Sequence, residues 1–225
     1  MTMSIGIYMA KEKFSTELDR LTKDVLKMGE LANSMLSRSM KAFKDLDPKD
    51  VKWVMSKKGE LDWMDRDIEE RALQLLTLYS PMAKDMRTVA CILKMITYLN
   101  RIGRYGKDIA RDAEALMDLH HISKLVNIPH MQVLASSMLK DVLDAFSTGD
   151  LELIKDFRER DDEVDSIWES VMRESLTYMM EDQRNIPICM HYIMVARYLE
   201  RCADHSCKIA EKVHYMYTGE HIEIK

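Results

Sequence analysis

Ser34-Met35-Leu36, Ala42-Phe43 and Asp47 return 103 positions later as Ser137-Met138-Leu139, Ala145-Phe146 and Asp150, and Asp62 meets Asp165 at the same distance. After a shift of three, Tyr98-Leu99, Arg101 and Ile109-Ala110 meet Tyr198-Leu199, Arg201 and Ile209-Ala210 at a distance of 100. Features that recur in one order in both halves mark a duplicated unit, and chance likeness between helical seams would not reproduce the breaks as well. Whatever this chain folds into must therefore be built twice.

Apolar spacing shows what the unit is. A seam of Phe14, Leu18, Leu21, Val25, Met28, Leu31, Met35 and Ala42 follows helical steps of three and four, and predicts a first helix from about Phe14 to Leu46. Asp47-Pro48 is a stop and a restart, an N-cap followed by proline in the first turn. A second helix carries Val54, Leu61, Met64, Ile68, Ala72 and Leu75 to Ser80-Pro81, and a third runs through Val89, Ile92, Ile96 and Leu99 to about Leu119. His120 to Pro129 reads as the linker. A fourth helix spans Pro129 to Phe146 and Ser147-Thr148-Gly149-Asp150 is a turn. A fifth holds Phe157, Val164, Trp168, Val171 and Tyr178; Asn185-Ile186-Pro187 starts a sixth that ends near Thr218-Gly219. No stretch alternates like a strand. The expectation is an all-α chain of two tandem three-helix bundles, residues 1–122 and 123–225, packed side by side or end to end.

Composition narrows the classes of function. The net charge is −5 with both signs interspersed, so no basic face for nucleic acid is expected. No uncharged apolar run approaches a membrane span, and the N-terminus lacks a basic n-region, so a cytoplasmic protein with no direct membrane insertion is expected. Cys91, Cys189, Cys202 and Cys207 fall inside helical seams without a CxxC pair, and read as reduced core residues, with zinc a minor alternative.

The chemistry concentrates on the sixth helix, YIMVARYLERCADHSCKIAE from Tyr192 to Glu211. Glu200 interrupts its second apolar stripe, and Asp204 follows one turn later on the same face. On the fifth helix Asp161 stands where an apolar residue was due, with Asp165 one turn on. Two i,i+4 acid pairs on adjacent helices point four oxygen-rich side chains into one groove, which suits Mg, Mn, Fe or Ca, with Zn less favoured without histidine or thiolate. Acids so spaced are also common on solvated faces, so a metal site and a hydrated edge both stand. Glu211 and His214 form an ExxH element, but its only partial second copy, Asp118 to His121, is out of register with the repeat. A di-iron reading is accordingly weak. His205 faces away from Glu200 and reads as a polar surface histidine. Met172, Met179 and Met180 read as adaptable core, and Asp62, Asp65, Asp67, Glu69 and Glu70 as a mostly hydrated face. No nucleophile elbow, glycine-rich phosphate loop or Ser/Cys–His pair is present, and no catalysis is expected.

Several of these segments together resemble the PhoU-type phosphate-signalling regulators. Glu200-Arg201-Cys202-Ala203-Asp204 through Lys208-Ile209-Ala210 is similar to that family's E-R-I-G-D-x-x-x-N-I-A signature. Ser80-Pro81-Met82-Ala83-Lys84-Asp85-Met86-Arg87 is similar to its Q-P-V-A-x-D-L-R segment, and the resemblance covers essentially the whole chain. It implies a cytoplasmic adaptor that regulates phosphate uptake and phosphate-starvation signalling, not an enzyme. Its implied partners are the phosphate ABC transporter ATPase and, in many bacteria, a membrane sensor histidine kinase; a homodimer is also implied. It further implies a metal held by E(D)xxxD motifs, whose matching residues here are Asp161, Asp165, Glu200 and Asp204. The alternative function is a metal-binding helical protein whose ions serve chemistry or storage. The first repeat departs from the signature: Lys58 stands for Asp161, Asn100 for Glu200 and Arg104 for Asp204. Lys58 and Arg104 are expected to supply positive charge internally, pairing with Asp62 and Asp108.

Overall fold

The computed structural model describes residues 2–122 and 125–224, with side chains from Glu12 onward. Among them there are six long helices and no strand: α1 (Thr2–Asp45), α2 (Pro48–Tyr79), α3 (Lys84–Ala115), α4 (Asn127–Thr148), α5 (Phe157–Glu181) and α6 (Ile186–Thr218). Short 3₁₀ turns at Leu151–Ile154 and Gln183–Asn185 lead into α5 and α6. Helix α1 begins well before the expected Phe14, and α4 starts two residues before Pro129. The expected bundle boundary at 122/123 and Ser123-Lys124 of the linker fall at or outside the edge of the described residues.

Local chemistry places the breaks. The Asp47 carboxylate accepts a hydrogen bond from the Lys49 amide at 2.8 Å, capping α2 ahead of Pro48. Helices α4 and α6 end on Gly149 (φ 80°) and Gly219 (φ 81°), where a left-handed residue closes the last turn without a Cβ penalty. Among the described residues no helix is long and apolar enough to cross a membrane.

Helices α1, α2 and α3 pack on one another, as do α4, α5 and α6. The two bundles lie side by side, joined through α1–α4 and α3–α6, with α2 and α5 on the outside. The α3–α6 seam follows the duplication. Tyr98 meets His205 (ring centroids 5.4 Å), Tyr105 meets Tyr198 (5.7 Å) and Asp112 meets His191 (2.7 Å). Each advance of seven along α3 is matched by seven backwards along α6, so the helices run antiparallel in heptad register. Tyr98 and Tyr198 are repeat equivalents, as are Tyr105 and His205, so the two ring contacts are one contact made twice about a pseudo-twofold axis. At the α1–α3 contact within the first bundle, a Cβ on Gly106 would stand 3.0 Å from the Leu36 amide nitrogen. That glycine sets how closely the two backbones approach.

Because α6 is contacted by α3, α4 and α5, it is buried nearly all round. Cys202 through Cys207 are all buried, including Asp204 and His205. A helix without a solvated face in the middle of a six-helix assembly must satisfy its polar groups internally.

Candidate functional site

The acids of α5 and α6 lie along the contact between the two helices. Asp161 sits on the seam of α5 between Phe157 and Val164, both fully enclosed, and is itself 5% exposed. Glu200 is 8% and Asp204 9% exposed, one turn apart on α6. Asp165 occupies the exposed outer lip of the groove. The Glu200 carboxyl is pushed up by burial first, then by Asp204 and, more weakly, by Asp165. Burial pushes the Cys207 thiol up strongly, and Asp161 and Asp204 push it further.

Two arginines carry the countercharge. Arg197 Nη1 donates to Glu200 Oε1 at 2.6 Å, and Arg201 Nη1 to Asp204 Oδ2 at 2.9 Å. Glu200 Oε2 is fully buried and makes no hydrogen bond; Arg201 Nε is 3.6 Å away, an ion-pair distance only. Arg197 also lies over the Trp168 ring of α5, 5.5 Å from its centroid.

These observations test the expected metal. The donors are hard oxygens, and an orphaned buried carboxylate oxygen is the feature a cation would satisfy. The set therefore fits a divalent ion in its chemistry. In its present arrangement it is closed by arginine: among the described residues no three His, Cys, Asp or Glu side chains stand close enough together to hold a metal ion. A cation would have to replace the Arg197 and Arg201 guanidiniums.

The equivalent groove of the first bundle is neutralised by its own residues. Lys58 forms an ion pair with Asp62 one turn on, and the Asn100 amide donates to Asp62 Oδ1 (3.5 Å) and Asp65 Oδ2 (3.2 Å). The Lys58 ammonium, the Asn100 amide and the Arg104 charge favour the ionised Asp62, whose pKa is held below the usual carboxylate range despite partial burial. Asp65 is raised by burial, then by Glu69 and Asp62. The expected Lys58–Asp62 pair is present. The expected Arg104–Asp108 pair is replaced: Asp108 receives Arg111 Nη1 at 3.3 Å, while Arg104 directs its charge toward Asp62 and Asp65. Intrahelical spacing offered Arg104 only Asp108, and the fold presents it to α2 instead.

Three other readings change. His205 is no surface histidine: it is 8% exposed and stacked on Tyr105 (5.8 Å) in the inter-bundle seam. Its Nε2 has no hydrogen-bond partner, and burial, then Arg101, push its pKa down to about 4. Met180 is 81% exposed, not core, and Met172 and Met179 are half-buried. Asp65, placed on a hydrated face, belongs to the first groove. The ExxH element is divided between other tasks. Glu211 Oε1 accepts from Lys208 and from the Ile224 amide, whereas His214 Nδ1 faces the Glu220 carbonyl at 3.1 Å. All four cysteines are buried free thiols, as expected. The seam tyrosines were missed as a cluster, although the repeated Tyr98/Tyr198 and Arg101/Arg201 pairs were the signal.

The PhoU domain model matches residues 25–113 and 128–213, one copy per bundle. A phosphate-specific transport system accessory protein PhoU homolog from Rhizobium meliloti is 38% identical over 207 residues, covering 92% of this chain and 87% of the relative. The crystal structure of PhoU from Pseudomonas aeruginosa superposes with a TM-score of 0.89 at 31% identity, covering 92% of this chain and all of that one. The phosphate transport system regulatory protein PhoU from Streptococcus pneumoniae superposes at 0.84 and 26% identity, covering 93% and 99%.

Proposed function

The chain belongs to the PhoU family, and from that premise we propose that it is a regulatory accessory protein of phosphate transport that acts by docking. The observation that carries this reading is the extent of the match. A relative described as a phosphate-specific transport accessory protein shares 38% of residues over 92% of this chain, so both bundles are kept. In this reading the chain binds the cytoplasmic ATPase of the phosphate ABC transporter and restrains uptake when phosphate is plentiful. Where a membrane sensor histidine kinase exists, the same docking would reach it, and pairing as a homodimer would double the valency.

The surface is consistent with docking. Leu78 and Met82 are among the most exposed large apolar side chains, and with Met86 they crowd the α2–α3 corner; Leu176, Met180, Ile186 and Met190 do the same at the α5–α6 corner. Clustered exposed apolar side chains of this kind mark protein–protein sites. The orphaned Glu200 oxygen favours a cation as a second element. Asp161, Asp165, Glu200 and Asp204 would hold Mg, Mn, Fe or Zn, which would supply charge neutralisation in place of the two arginines. These acids would fix α5 against α6.

A pull-down of the purified chain with the transporter ATPase, with and without chelator, tests the reading. Capture is expected, and deletion of the gene should deregulate phosphate uptake. No capture together with phosphate uptake unchanged across phosphate levels would remove the adaptor reading. Metal-dependent oxidase turnover by the purified protein would favour ion-dependent chemistry instead.

A further inference from the structure

The acid face of α5 does not end at Asp165. Trp168 follows one turn on, along the side of the helix that carries Asp161, Val164 and Asp165. Its indole Nε1 is buried and has no hydrogen-bond partner among the described residues. Glu200 Oε2, on α6, is buried and unpartnered in the same way. An indole nitrogen can only donate and an ionised carboxylate can only accept. Each unmade bond is costly where water is excluded, and one bond between the two groups would remove both costs.

Two observations place the pair together. Arg197 touches both: its guanidinium lies 5.5 Å from the centre of the Trp168 ring, and its Nη1 donates to Glu200 Oε1 at 2.6 Å. The first bundle shows what the frame does with these positions. There Asp65 stands for Trp168 and Asn100 for Glu200, and the Asn100 amide donates to Asp65 Oδ2 at 3.2 Å. The backbones of the second and third helices thus bring these two positions within hydrogen-bond reach. In the second bundle donor and acceptor have changed sides, and the bond is open. Thr97 stands for Arg197, so only the second bundle has a guanidinium at that position, and it holds Glu200 by the other oxygen.

We propose that Trp168 is a positioning residue of the acid groove: with a divalent cation bound, its indole N–H donates to Glu200 Oε2 and turns Oε1 to the ion in place of Arg197. This role rests on the cation reading of Asp161, Asp165, Glu200 and Asp204. Those side chains offer oxygens alone, and a carboxylate that binds an ion is held in place by a donor on its remaining oxygen. An indole supplies that donor without a positive charge to compete with the cation. Arg197, whose side chain is already 37% exposed, then turns outward.

Calorimetric titration of the metal-free full chain with Mg, Mn, Fe(II) or Zn compares the parent with Trp168→Phe, which keeps a ring beneath Arg197 and removes the donor. Affinity is expected to fall about ten-fold in the variant. A second readout is the indole N–H signals in NMR spectra of nitrogen-labelled protein with Mg or Zn, both diamagnetic. The signal missing from Trp168→Phe should move downfield on loading while those of Trp53 and Trp63 stay, a change that a packing role alone would not produce. Equal affinity in parent and variant, or a Trp168 signal unmoved by loading, would overturn the role and leave the cation reading standing. No cation bound by the parent, or binding that survives Asp161→Asn with Glu200→Gln, would overturn both.

Discussion

Replacing Gly106 with alanine probes the close packing of α1 on α3 inside the first bundle. The new Cβ would lie 3.0 Å from the Leu36 nitrogen, 3.0 Å from the Met35 carbonyl carbon and 3.1 Å from its oxygen. All three are backbone atoms, so no rotamer change relieves the contact, and α1 must move away from α3. Overpacking typically costs about 1–3 kcal/mol, and a backbone obstacle places this site near 3. Alanine returns about 0.5–1 kcal/mol of helix propensity. The net loss is about 2 kcal/mol, or roughly 4–8 °C in Tm for a chain of this size. Gly59→Ala is the paired control, because nothing lies within 4 Å of its Cβ; only the propensity gain of about 0.5–1 kcal/mol applies. Thermal and urea unfolding of both variants measure the difference. Gly106→Ala matching or exceeding Gly59→Ala in stability would refute the close approach of α1 and α3.

Two further outcomes concern titration, both measured in chelator. Burial and Asp204 raise the Glu200 carboxyl, so ionising it costs the folded state, and that cost appears as pH rises above the ordinary glutamate range and through the raised value. Glu200→Gln should then equal or exceed the parent in stability at pH 7, with the gap closing toward pH 4; a clear loss at pH 7 would show that the Arg197 and Arg201 pairs outweigh burial. His205 is shifted the other way, from 6.5 to about 4, with Arg101, Arg201 and Asp204 facing it. The unfolded chain takes up a proton that the folded one refuses, so stability should fall as pH drops from about 6.5 to about 4, by about 3 kcal/mol at most. His205→Phe, which keeps the ring contacts to Tyr98 and Tyr105, should remove that slope in urea titrations.

Helix ends and the duplication were legible because their causes are local. Asp47-Pro48, Gly149, Gly219 and the seams of apolar residues act on their own turns of chain, and the repeated order of breaks needs no tertiary knowledge. Which helix faces which was not legible. His205 looked exposed because a helical wheel of α6 shows only one neighbour, whereas α3 covers the second face; the small residues Cys202, Ala203, Ser206 and Cys207 were the available sign of close packing on all sides. Arg104 had an acid one turn along its own helix and others across the groove, and spacing alone could not rank them. Met180 is apolar but stands two residues past Tyr178, off the buried face of α5, so its hydrophobicity alone misplaced it. Asp161 was legible for the opposite reason: an acid in a seam position is costly wherever the neighbouring helices go.

The unequal grooves suggest an experiment on the duplication itself. In the first bundle Lys58, Asn100 and Arg104 stand at the positions of Asp161, Glu200 and Asp204, while Asp62 keeps the acid of Asp165. The two backbones already present equivalent residues to one another, since Asn100 bonds Asp62 where Glu200 feels Asp165. The difference between the bundles therefore lies in side chains, not in the frame: beside these three, Asp65 stands for Trp168 and Thr97 for Arg197. Lys58→Asp, Asn100→Glu and Arg104→Asp made together would recreate the acid set around Asp62. Arg101, the equivalent of Arg201, remains to neutralise part of it in the absence of metal, so the variant should fold. If the acids of the second bundle hold a cation, elemental analysis after dialysis against Mg, Mn, Fe or Zn should show about one site's worth of metal in the parent and roughly twice that in the triple variant. Asp161→Asn with Glu200→Gln should abolish the parental share and leave the engineered one. An unchanged metal content in the triple variant would mean that these three side chains are not what separates the two halves.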